Sequence, residues 1–446
     1  MSVCAISNHY ILIYMIFENN LAFAQSLDRQ DPLHDLRNQF LFPEQNGTPF
    51  IYMCGNSLGL QPRTARNYID QQMNNWANLA VEGWFEGETP WMYYHKELKG
   101  LMANIVGAGP GEVCPMNTLT VNLHLLMVSF YRPTANRFKI IMEAGAFPSD
   151  QYAVESQVRF HGYDPEEAII EVAPRAGEAT LRTEDIVAAI ARHGDQLALV
   201  LFGGINYFTG QWFDMPAITK AGHSAGAVVG FDLAHAAGNV PLQLHDWDID
   251  FACWCSYKYQ NAGPGGISGI FVHEKHFSDT SLHRFAGWWG YQEQQRFKME
   301  KGFVAGSGAD GWQVSCTQVI PMALYHASLK IFEKAGFIGP LREKSRKLTA
   351  YLYYLINDVN KTLGFEQYKI ITPSAETERG AQLSVIARYK AKEIFHALTA
   401  SNILGDWREP DVIRLSPVPL YNSFEDVFLT AARLLGISKE LITPKQ

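Results

Sequence analysis

The chain has 446 residues, of which 47% are hydrophobic and 18% are charged, as expected for a globular enzyme with two substantial domains. The 37 Lys and Arg residues against 45 Asp and Glu residues give a net charge of -8, which lacks the basic character of proteins that bind nucleic acid or anionic membranes. Six scattered cysteines, with one close Cys-x-Cys pair at Cys253 and Cys255, predict neither a disulfide framework nor a metal site and favour the reducing cytoplasm.

The N-terminal segment resembles a secretory signal only in part. Residues 10–17 form an apolar run, but no Lys or Arg precedes Arg29, so the positively charged start of such a signal is missing. Leu21, Ala24 and Leu27 instead fall on one face of a helix. We therefore expect residues 1–50 to form an extension and a helical arm that packs with the smaller domain. No later stretch reaches the roughly 18 apolar residues that a membrane span requires.

A glycine-bounded turn, Gly55-Asn56-Ser57-Leu58-Gly59, follows the arm. Two glycines around Asn and Ser predict an exposed turn, and Pro62 suits the first position of a helix that continues to about Ala80. The aromatic residues after this helix, Trp84 among them, are more typical of a core or a dimer contact than of a pocket.

Two further segments combine a helix start with polar residues. Thr118 or Thr120 opens an apolar helix that reaches about Phe130. Such an end needs an N-cap, but its free backbone N–H groups can also bind a phosphate. A strand at 138–142 then leads to Phe147-Pro148-Ser149-Asp150, where Pro and Ser favour a second helix start even without a ligand.

Strands and helices alternate from residue 168 onward. Apolar runs at 168–172, 197–202 and 227–231 predict strands, and the segments 183–192 and 215–225 between them predict helices. This order predicts an α/β fold with a mostly parallel, doubly wound sheet. The loop 202–211, which begins with Gly203-Gly204 after Phe202, lies inside this region.

Polar residues end two of the predicted buried strands. Asp232 follows the apolar run at 228–231, and Ser256-Tyr257-Lys258 follows the run at 250–255 before a glycine-rich loop. Ligands bind at such carboxyl ends in parallel sheets. A Lys and an Asp suit pyridoxal phosphate, because the amine can hold its aldehyde as a Schiff base and the carboxylate keeps the pyridine nitrogen protonated. Either residue alone would be explained more simply as a helix cap or as a solvated charge.

The last third of the chain predicts a smaller α/β domain beyond the glycine-rich stretch 302–311. Helices are expected at 319–332, at 341–359 and from 424, and strands at 382–386 and 412–415. Arg414 stands in the last of these strands, just before a Pro-Val-Pro segment that makes the chain rigid. A fixed guanidinium can clamp a carboxylate with two hydrogen bonds, although an Arg on a strand is more often a surface charge.

The chain resembles the kynureninase family of fold-type-I pyridoxal-phosphate enzymes. The segments that carry this resemblance are Phe231-Asp232-Leu233-Ala234-His235-Ala236, Cys253-Trp254-Cys255-Ser256-Tyr257-Lys258-Tyr259 and Asn261-Ala262-Gly263, with the Arg414 motif as a second signature. The resemblance implies hydrolytic Cβ–Cγ cleavage of L-kynurenine to anthranilate and L-alanine, with 3-hydroxykynurenine as an alternative substrate, in tryptophan degradation or the biosynthesis of NAD. It also implies a homodimer, a large cofactor-binding domain at 51–304 with a seven-stranded sheet, and a small domain at 305–446.

The same resemblance assigns the residues of the site. It implies that Lys258 carries the cofactor and moves the Cα proton, that Asp232 keeps the ring charged, and that Tyr257 contacts the phosphate and relays a proton to the hydrated ketone. The implied cofactor-binding residues are Leu119, Thr120, Phe147, Pro148, Ser149, Asp150, Gly203, Asp232, His235, Tyr257, Lys258, Trp288 and Cys316. The implied substrate-binding residues are Asn56, Ser57, Trp84 and Arg414, and no residue is assigned to a metal.

The sequence departs from the family pattern at three positions. Many members have a hydroxyl residue where this chain has Gly203, which offers only its backbone, so a side-chain contact to the phosphate is not expected there. Members that favour 3-hydroxykynurenine have His and Asn where this chain has Trp84 and Cys316, which predicts a preference for L-kynurenine, because a pocket without those partners cannot reward the hydroxyl group. Two alternatives stay open: a cysteine desulfurase or aminotransferase, although Tyr257 stands where a desulfurase commonly has His, and a cofactor-binding homologue without catalysis.

Overall fold

A computed structural model of the chain describes residues 16–316 and 318–442. Most of the apolar run at 10–17 therefore lies outside the described residues. The α-helices are α1 (Leu21–Gln30), α2 (Ala65–Leu79), α3 (Tyr94–Val106), α4 (Leu119–Phe130), α5 (Pro148–Phe160), α6 (Pro165–Ala168), α7 (Thr183–His193), α8 (Met215–Ser224), α9 (Val319–Lys334), α10 (Ile338–Leu363), α11 (Ala391–Ala400) and α12 (Phe424–Leu441). The strands are β1 (Phe40–Leu41), β2 (Glu44–Gln45), β3 (Thr48–Pro49), β4 (Ile51–Tyr52), β5 (Gln61–Pro62), β6 (Val113–Pro115), β7 (Lys139–Glu143), β8 (Ile169–Val172), β9 (Leu197–Gly203), β10 (Val228–Asp232), β11 (Phe251–Trp254), β12 (Gly269–Val272), β13 (Tyr368–Ile370), β14 (Leu383–Ala387), β15 (Ile403–Leu404), β16 (Asp406–Arg408) and β17 (Val412–Leu415).

The central sheet has seven strands in the order β6-β12-β11-β10-β9-β7-β8. The five strands from β11 to β8 pair in parallel, and β12 runs antiparallel to both of its neighbours. The predicted α/β fold with a mostly parallel sheet is thus confirmed. Strands β9 to β12 are buried almost throughout, since the sheet is covered on both faces, and this explains why they appear in the sequence as continuous apolar runs.

The register of β10 and β11 brings the two predicted cofactor residues to one edge. Asp232, the last residue of β10, pairs with Cys253 of β11, so the chain leaves β11 towards Lys258 at the same end of the sheet. Gly230 permits this close pairing because a side chain there would overlap the Phe251 ring. The carboxyl ends of these strands therefore meet, as parallel neighbours must.

A second sheet, in the order β13-β14-β17-β16, packs with α10, α11 and α12 in the C-terminal part of the chain. Its core includes Ala24 and Leu27 of α1, which agrees with an arm that packs on this unit. Strand β17 lies inside this sheet, so Arg414 is fully buried and is not a surface charge. The division at residue 304 stays a prediction. No helix among residues 16–316 and 318–442 combines the length and apolarity needed to cross a bilayer.

The predicted helix start at Pro62 is wrong. Pro62 belongs to β5, which pairs antiparallel with Phe40 and Leu41 of β1, and α2 begins only at Ala65 after Thr64. A proline is tolerated in such a two-stranded edge. Pairing with a distant segment has therefore overridden the local preference of proline for the first turn of a helix.

Candidate functional site

A cavity of about 230 Å³ opens at the carboxyl edge of the central sheet. The ends of β7, β9 and β10, the segment after β11 and the first turns of α4 and α5 supply its walls. The residues that line it are Thr118, Leu119, Thr120, Glu143, Phe147, Ser149, Asp150, Gly203, Ile205, Tyr207, Asp232, Ala234, His235, Cys255, Tyr257 and Lys258. Ten of the residues that the sequence nominates for the cofactor thus meet in one cavity, because parallel strands end at one edge.

Lys258 faces a buried imidazole in this cavity. Its Nζ lies 3.0 Å from His235 Nε2 and 5.7 Å from the centroid of the Phe147 ring. Burial first, and then the positive charges of Lys258, Arg414 and Arg408, hold the pKa of His235 well below its usual value. The neutral imidazole can therefore accept a hydrogen bond from the lysine amine, which places that amine inside the cavity.

Asp232 and Asp150 form a hydrogen-bonded pair of carboxyl groups. Asp232 Oδ1 accepts the Ala234 N–H at 2.7 Å. Burial is the main cause that raises the pKa of both groups. The hydrogen bond between them raises the pKa of Asp150 further. For Asp232 the Ala234 N–H, the charge of Lys258 and the hydrogen bond to Asp150 all lower the pKa and so oppose the effect of burial. The Ala234 N–H and the charge of Lys258 thus favour the ionised form of Asp232, whereas burial and the neighbouring carboxyl group favour the neutral form of Asp150.

Glu143, which the sequence analysis did not nominate, is the third carboxyl group of the cavity. Its Oε2 accepts the Gly203 N–H at 2.9 Å, and the side chain is buried. Burial raises the pKa of Glu143 to about 7, with a further rise from the charge of Asp232. A signal was available, because Glu143 follows an apolar strand just as Asp232 does.

The opposite side of the cavity can hold an anion. Thr118, Leu119 and Thr120 line the cavity there, and α4 begins without a side-chain cap on Thr118, so the backbone N–H groups of its first turn are available to an anion. Tyr257 also lines the wall, and burial raises the pKa of its phenol, which keeps it protonated as a donor. The cavity thus offers the groups that pyridoxal phosphate requires. The start of α4 suits its phosphate, Phe147 suits its ring, the Asp232 carboxylate suits its ring nitrogen, and the Lys258 amine suits its aldehyde.

The predicted carboxylate clamp lies behind the cavity wall. Arg414 Nη1 donates to the Tyr207 carbonyl oxygen at 2.6 Å, and Nη2 donates to Asp406 Oδ2 at 2.5 Å. Ser57 also hydrogen-bonds Asp406. Asn56 donates to Gln382 Oε1 at 3.0 Å, and Gln382 in turn donates to the Tyr207 carbonyl oxygen at 3.1 Å. Arg414 and Asn56 therefore reach the cavity through Tyr207 and do not line it.

Four other nominated residues also lie outside the lining of this cavity. Trp288 is 47% exposed and donates its indole N–H to the Arg296 carbonyl oxygen at 3.0 Å. Trp84 packs against Trp91 and Trp289, with ring centroids 5.6 and 5.5 Å away. Cys316 is exposed, and Pro148 begins α5 beside the lining residue Phe147. A single copy of the chain does not bring these side chains to Lys258.

Four more residues in or beside the cavity were not predicted from the sequence: Tyr207, Cys255, Asp406 and Arg408. The Tyr207 ring packs edge to face on Phe147 at 5.1 Å and fixes the orientation of that ring. Its place in the glycine-bounded loop 202–211 was the available signal. Asp406 and Arg408 carry no local signal, because their importance comes from pairing with β17.

One cluster elsewhere has the composition of a metal site. The ligand atoms of Glu112, His245 and His273 lie within 4.8 Å of one another. Hydrogen bonds already occupy most of them: Glu112 accepts from His245 at 2.9 Å and from the Glu274 N–H at 2.9 Å, and His273 Nδ1 accepts the Lys275 N–H at 3.1 Å. These contacts give the cluster a structural role at the edge opposite the cavity.

Comparisons with known proteins agree on one family. The model named "Kynureninase C-terminal domain" matches residues 341–434. The chain is 56% identical over 414 residues to the kynureninase of Flavobacterium psychrophilum, a match that covers 93% of this chain and 97% of that protein. It is 53% identical over 426 residues to the kynureninase of Myxococcus xanthus, covering 95% of this chain and 99% of that one. For the kynureninase of Nematostella vectensis the identity is 49% over 441 residues, covering 95% and 94%.

Solved structures with a similar backbone include a lyase with a PLP cofactor and cysteine desulfurases. A mutant of the cystine C–S lyase C-DES with glycine covalently linked to its PLP cofactor matches with a TM-score of 0.74 at 16% identity, covering 90% of this chain and 98% of that one. A cysteine desulfurase of Escherichia coli matches with a TM-score of 0.71 at 15% identity, covering 92% and 99%. At such identities the similarity shows the fold, and it confirms the predicted fold-type-I architecture.

Proposed function

Because the chain belongs to the kynureninase family and is a pyridoxal-phosphate-dependent enzyme that cleaves L-kynurenine hydrolytically, we propose that Lys258 and Asp232 are the residues that place its cofactor. The observation that carries this proposal is the single cavity in which both side chains lie, with Phe147 between the strand ends and α5. Identities of 49 to 56% with kynureninases over nearly the whole chain favour this function over a desulfurase, an aminotransferase or a non-catalytic homologue.

Each side chain has a role that follows from its surroundings. With pyridoxal phosphate bound, the Lys258 amine would hold it through its aldehyde, and the Asp232 carboxylate would keep its ring nitrogen protonated. Bound pyridoxal phosphate supplies an electron sink for negative charge at the substrate Cα. The Lys258 amine would take and return the proton at that carbon, and neutral His235 keeps the amine in place by accepting a hydrogen bond. Tyr257 would donate its phenolic O–H to the phosphate and relay a proton to the hydrated ketone of the substrate.

The phosphate is held at the start of α4. Leu119 and Thr120 present backbone N–H groups there, and the Thr120 hydroxyl adds a donor. Ser149 and Asp150 close the wall next to Asp232. Gly203 contributes no side chain, and its N–H is used by Glu143.

We also propose that the enzyme is a cytoplasmic homodimer. Support for a second copy comes from the exposed aromatic side chains around Trp288, since Phe285 and Phe297 are 56% and 52% exposed. In this arrangement Trp84, Trp288 and Cys316 of each copy serve the cavity of the other. The cytoplasmic assignment is supported by the free thiols of all five cysteines among the described residues.

The test is formation of fluorescent anthranilate from L-kynurenine, with Lys258→Ala as the matched negative variant. We expect the variant to lose both the visible band of the bound cofactor and anthranilate formation. A Lys258→Ala variant that keeps the visible band of the bound cofactor would overturn the proposal. Sedimentation of the holoenzyme at two-copy mass tests the dimer separately.

Substrate preference gives a second test. We propose that L-kynurenine is preferred over 3-hydroxykynurenine, because Trp84 and Cys316 offer no hydrogen-bond partner of the kind His and Asn provide. The expected result is a higher kcat/KM for L-kynurenine in the wild type and a shift towards the hydroxylated substrate in the double variant Trp84→His, Cys316→Asn. An advantage of 3-hydroxykynurenine in the wild type would contradict the assignment.

A further inference from the structure

Two guanidinium groups share one carboxylate next to the cavity. Asp406 stands opposite Arg414 in the antiparallel pairing of β16 and β17. Its Oδ2 accepts from Arg414 Nη2 at 2.5 Å, and its Oδ1 lies 3.2 Å from Arg408 Nε. The three side chains together carry one net positive charge, because two cations face one anion.

The two arginines differ in what they can still bind. Arg414 is fully buried, and both of its terminal nitrogens already donate, one to Asp406 and one to the Tyr207 carbonyl oxygen. Arg408 has a 34% exposed side chain, and no described residue accepts a hydrogen bond from its Nη1. Its guanidinium lies 5.9 Å above the ring of Tyr207, a residue of the cavity wall. Both arginines also keep a buried Nε without a hydrogen-bond acceptor in the part of the chain that the structure describes, so the difference between them is access: Arg408 is the partly exposed cation, and it lies beside Tyr207 of the cavity wall.

The excess charge is felt inside the cavity. Both Arg408 and Arg414 contribute to the low pKa of His235, although burial is the larger cause. His235 contacts the Lys258 amine at 3.0 Å. The positive charge of the pair thus extends to the place where an amino-acid substrate must present its amine and its α-carboxylate.

We infer that Arg408 is a second residue that binds the α-carboxylate of the substrate, and that Asp406 is a positioning residue that holds Arg408 and Arg414 in register for it. This inference rests on the proposed function. Ser57, which was predicted to bind the substrate directly, would instead hold the Asp406 carboxylate in place through its hydrogen bond to that group. Tyr207 separates the clamp from the cofactor ring.

The test compares a ligand that has the carboxylate with one that lacks it. L-Alanine and ethylamine carry the same amine, and binding of each to the holoenzyme is followed by the change in its visible spectrum. We expect Arg408→Gln to weaken L-alanine roughly tenfold to a hundredfold, the usual effect of losing a charged hydrogen bond, and to leave ethylamine within about twofold. KM for L-kynurenine should rise more than kcat falls. Equal losses for both amines would overturn the role of Arg408.

Asp406→Asn separates positioning from charge. Removing this anion increases the local positive charge, so a purely electrostatic effect would strengthen L-alanine binding. If Asp406 instead holds the two guanidinium groups in place, its loss should weaken L-alanine binding, which is the result we expect. Tighter L-alanine binding by the variant would refute the positioning role. Asp406→Glu, which keeps the charge, should recover part of the affinity and serves if the Asn variant does not fold.

The matched control is Arg388→Gln, which breaks an exposed pair with Glu366 in the same part of the chain and should change neither ligand's affinity. Anthranilate formation by the wild type is recorded in parallel. Absence of anthranilate would contradict the proposed function, whereas a discrimination between L-alanine and ethylamine that survives in Arg408→Gln would contradict the present inference alone.

Discussion

Replacement of Glu143 by Gln should stabilise the apoprotein at neutral and alkaline pH. Glu143 is buried in the cavity that Lys258 lines, where burial raises its pKa from 4.5 to about 7. Below pH 4.5 the folded and unfolded chains both hold the proton. Between pH 4.5 and about 7 only the folded chain holds it, so unfolding releases a proton and the free energy of unfolding falls as the pH rises.

The size of this effect follows from the shift. One pKa unit corresponds to about 1.4 kcal/mol, so a rise from 4.5 to about 7 costs the wild type about 3 kcal/mol once the window has been crossed. Gln has the shape of the neutral acid and does not titrate. The free energies of unfolding of wild type and Glu143→Gln should therefore be similar near pH 4.5 and differ by about 3 kcal/mol, in favour of the variant, at pH 8.

Urea unfolding of the two apoproteins over this pH range measures the difference. Glu171→Gln is the control. Glu171 is exposed on the neighbouring strand β8, so this substitution removes the same charge from the surface instead of from the cavity. A difference between wild type and Glu143→Gln that stays constant from pH 4.5 to pH 8 would refute the view that burial makes Glu143 retain its proton.

Three further outcomes follow from the same contacts. In Gly203→Ser the new Cβ would lie 2.9 Å from Glu143 Oε1, so we expect a loss of about 1 to 3 kcal/mol in the free energy of unfolding, and Glu143→Ala should relieve part of it in a double-mutant cycle. Gly230→Ala should cost stability by a similar overpacking against Phe251, measured by the urea midpoint, while a midpoint equal to that of the wild type would show that the strands can separate. Lys258→Arg keeps the positive charge but not the amine, so anthranilate formation should fall by at least about a hundredfold, and a fall of less than tenfold would exclude Lys258 as the proton-transferring group.

The cofactor end of the site could be predicted because strand periodicity marks it. Asp232 and Lys258 follow apolar runs, and parallel strands end at one edge, so their meeting in one cavity follows from the pattern. Glu143 obeys the same rule, because β7 ends at this residue, one position beyond the predicted strand at 138–142.

The residues around the predicted carboxylate clamp could not be found in this way. Asp406 is close to Arg414 only because a three-residue strand folds back beside β17, and no periodicity in the sequence announces that pairing. Pro62 shows the same limit, since its pairing with Phe40 decides its conformation. Trp84, Trp288 and Cys316 were assigned by resemblance, and their place at a cavity stays a prediction about two copies of the chain.

The charges of the site also explain how one orientation of an amino acid can be selected. The ends of β7 and β10 supply carboxyl groups at Glu143 and Asp232, and the first turn of α5 supplies that of Asp150. In the proposed function Asp232 would face the ring nitrogen of the cofactor. The second sheet supplies the opposite sign through Arg408 and Arg414, which Asp406 only half neutralises. A substrate whose carboxylate turned towards the strand ends would meet an anion in a buried setting, where unpaired like charges are expensive. The carboxylate must therefore lie on the side of Tyr207 and the arginines, which leaves the amine and Cα facing Lys258.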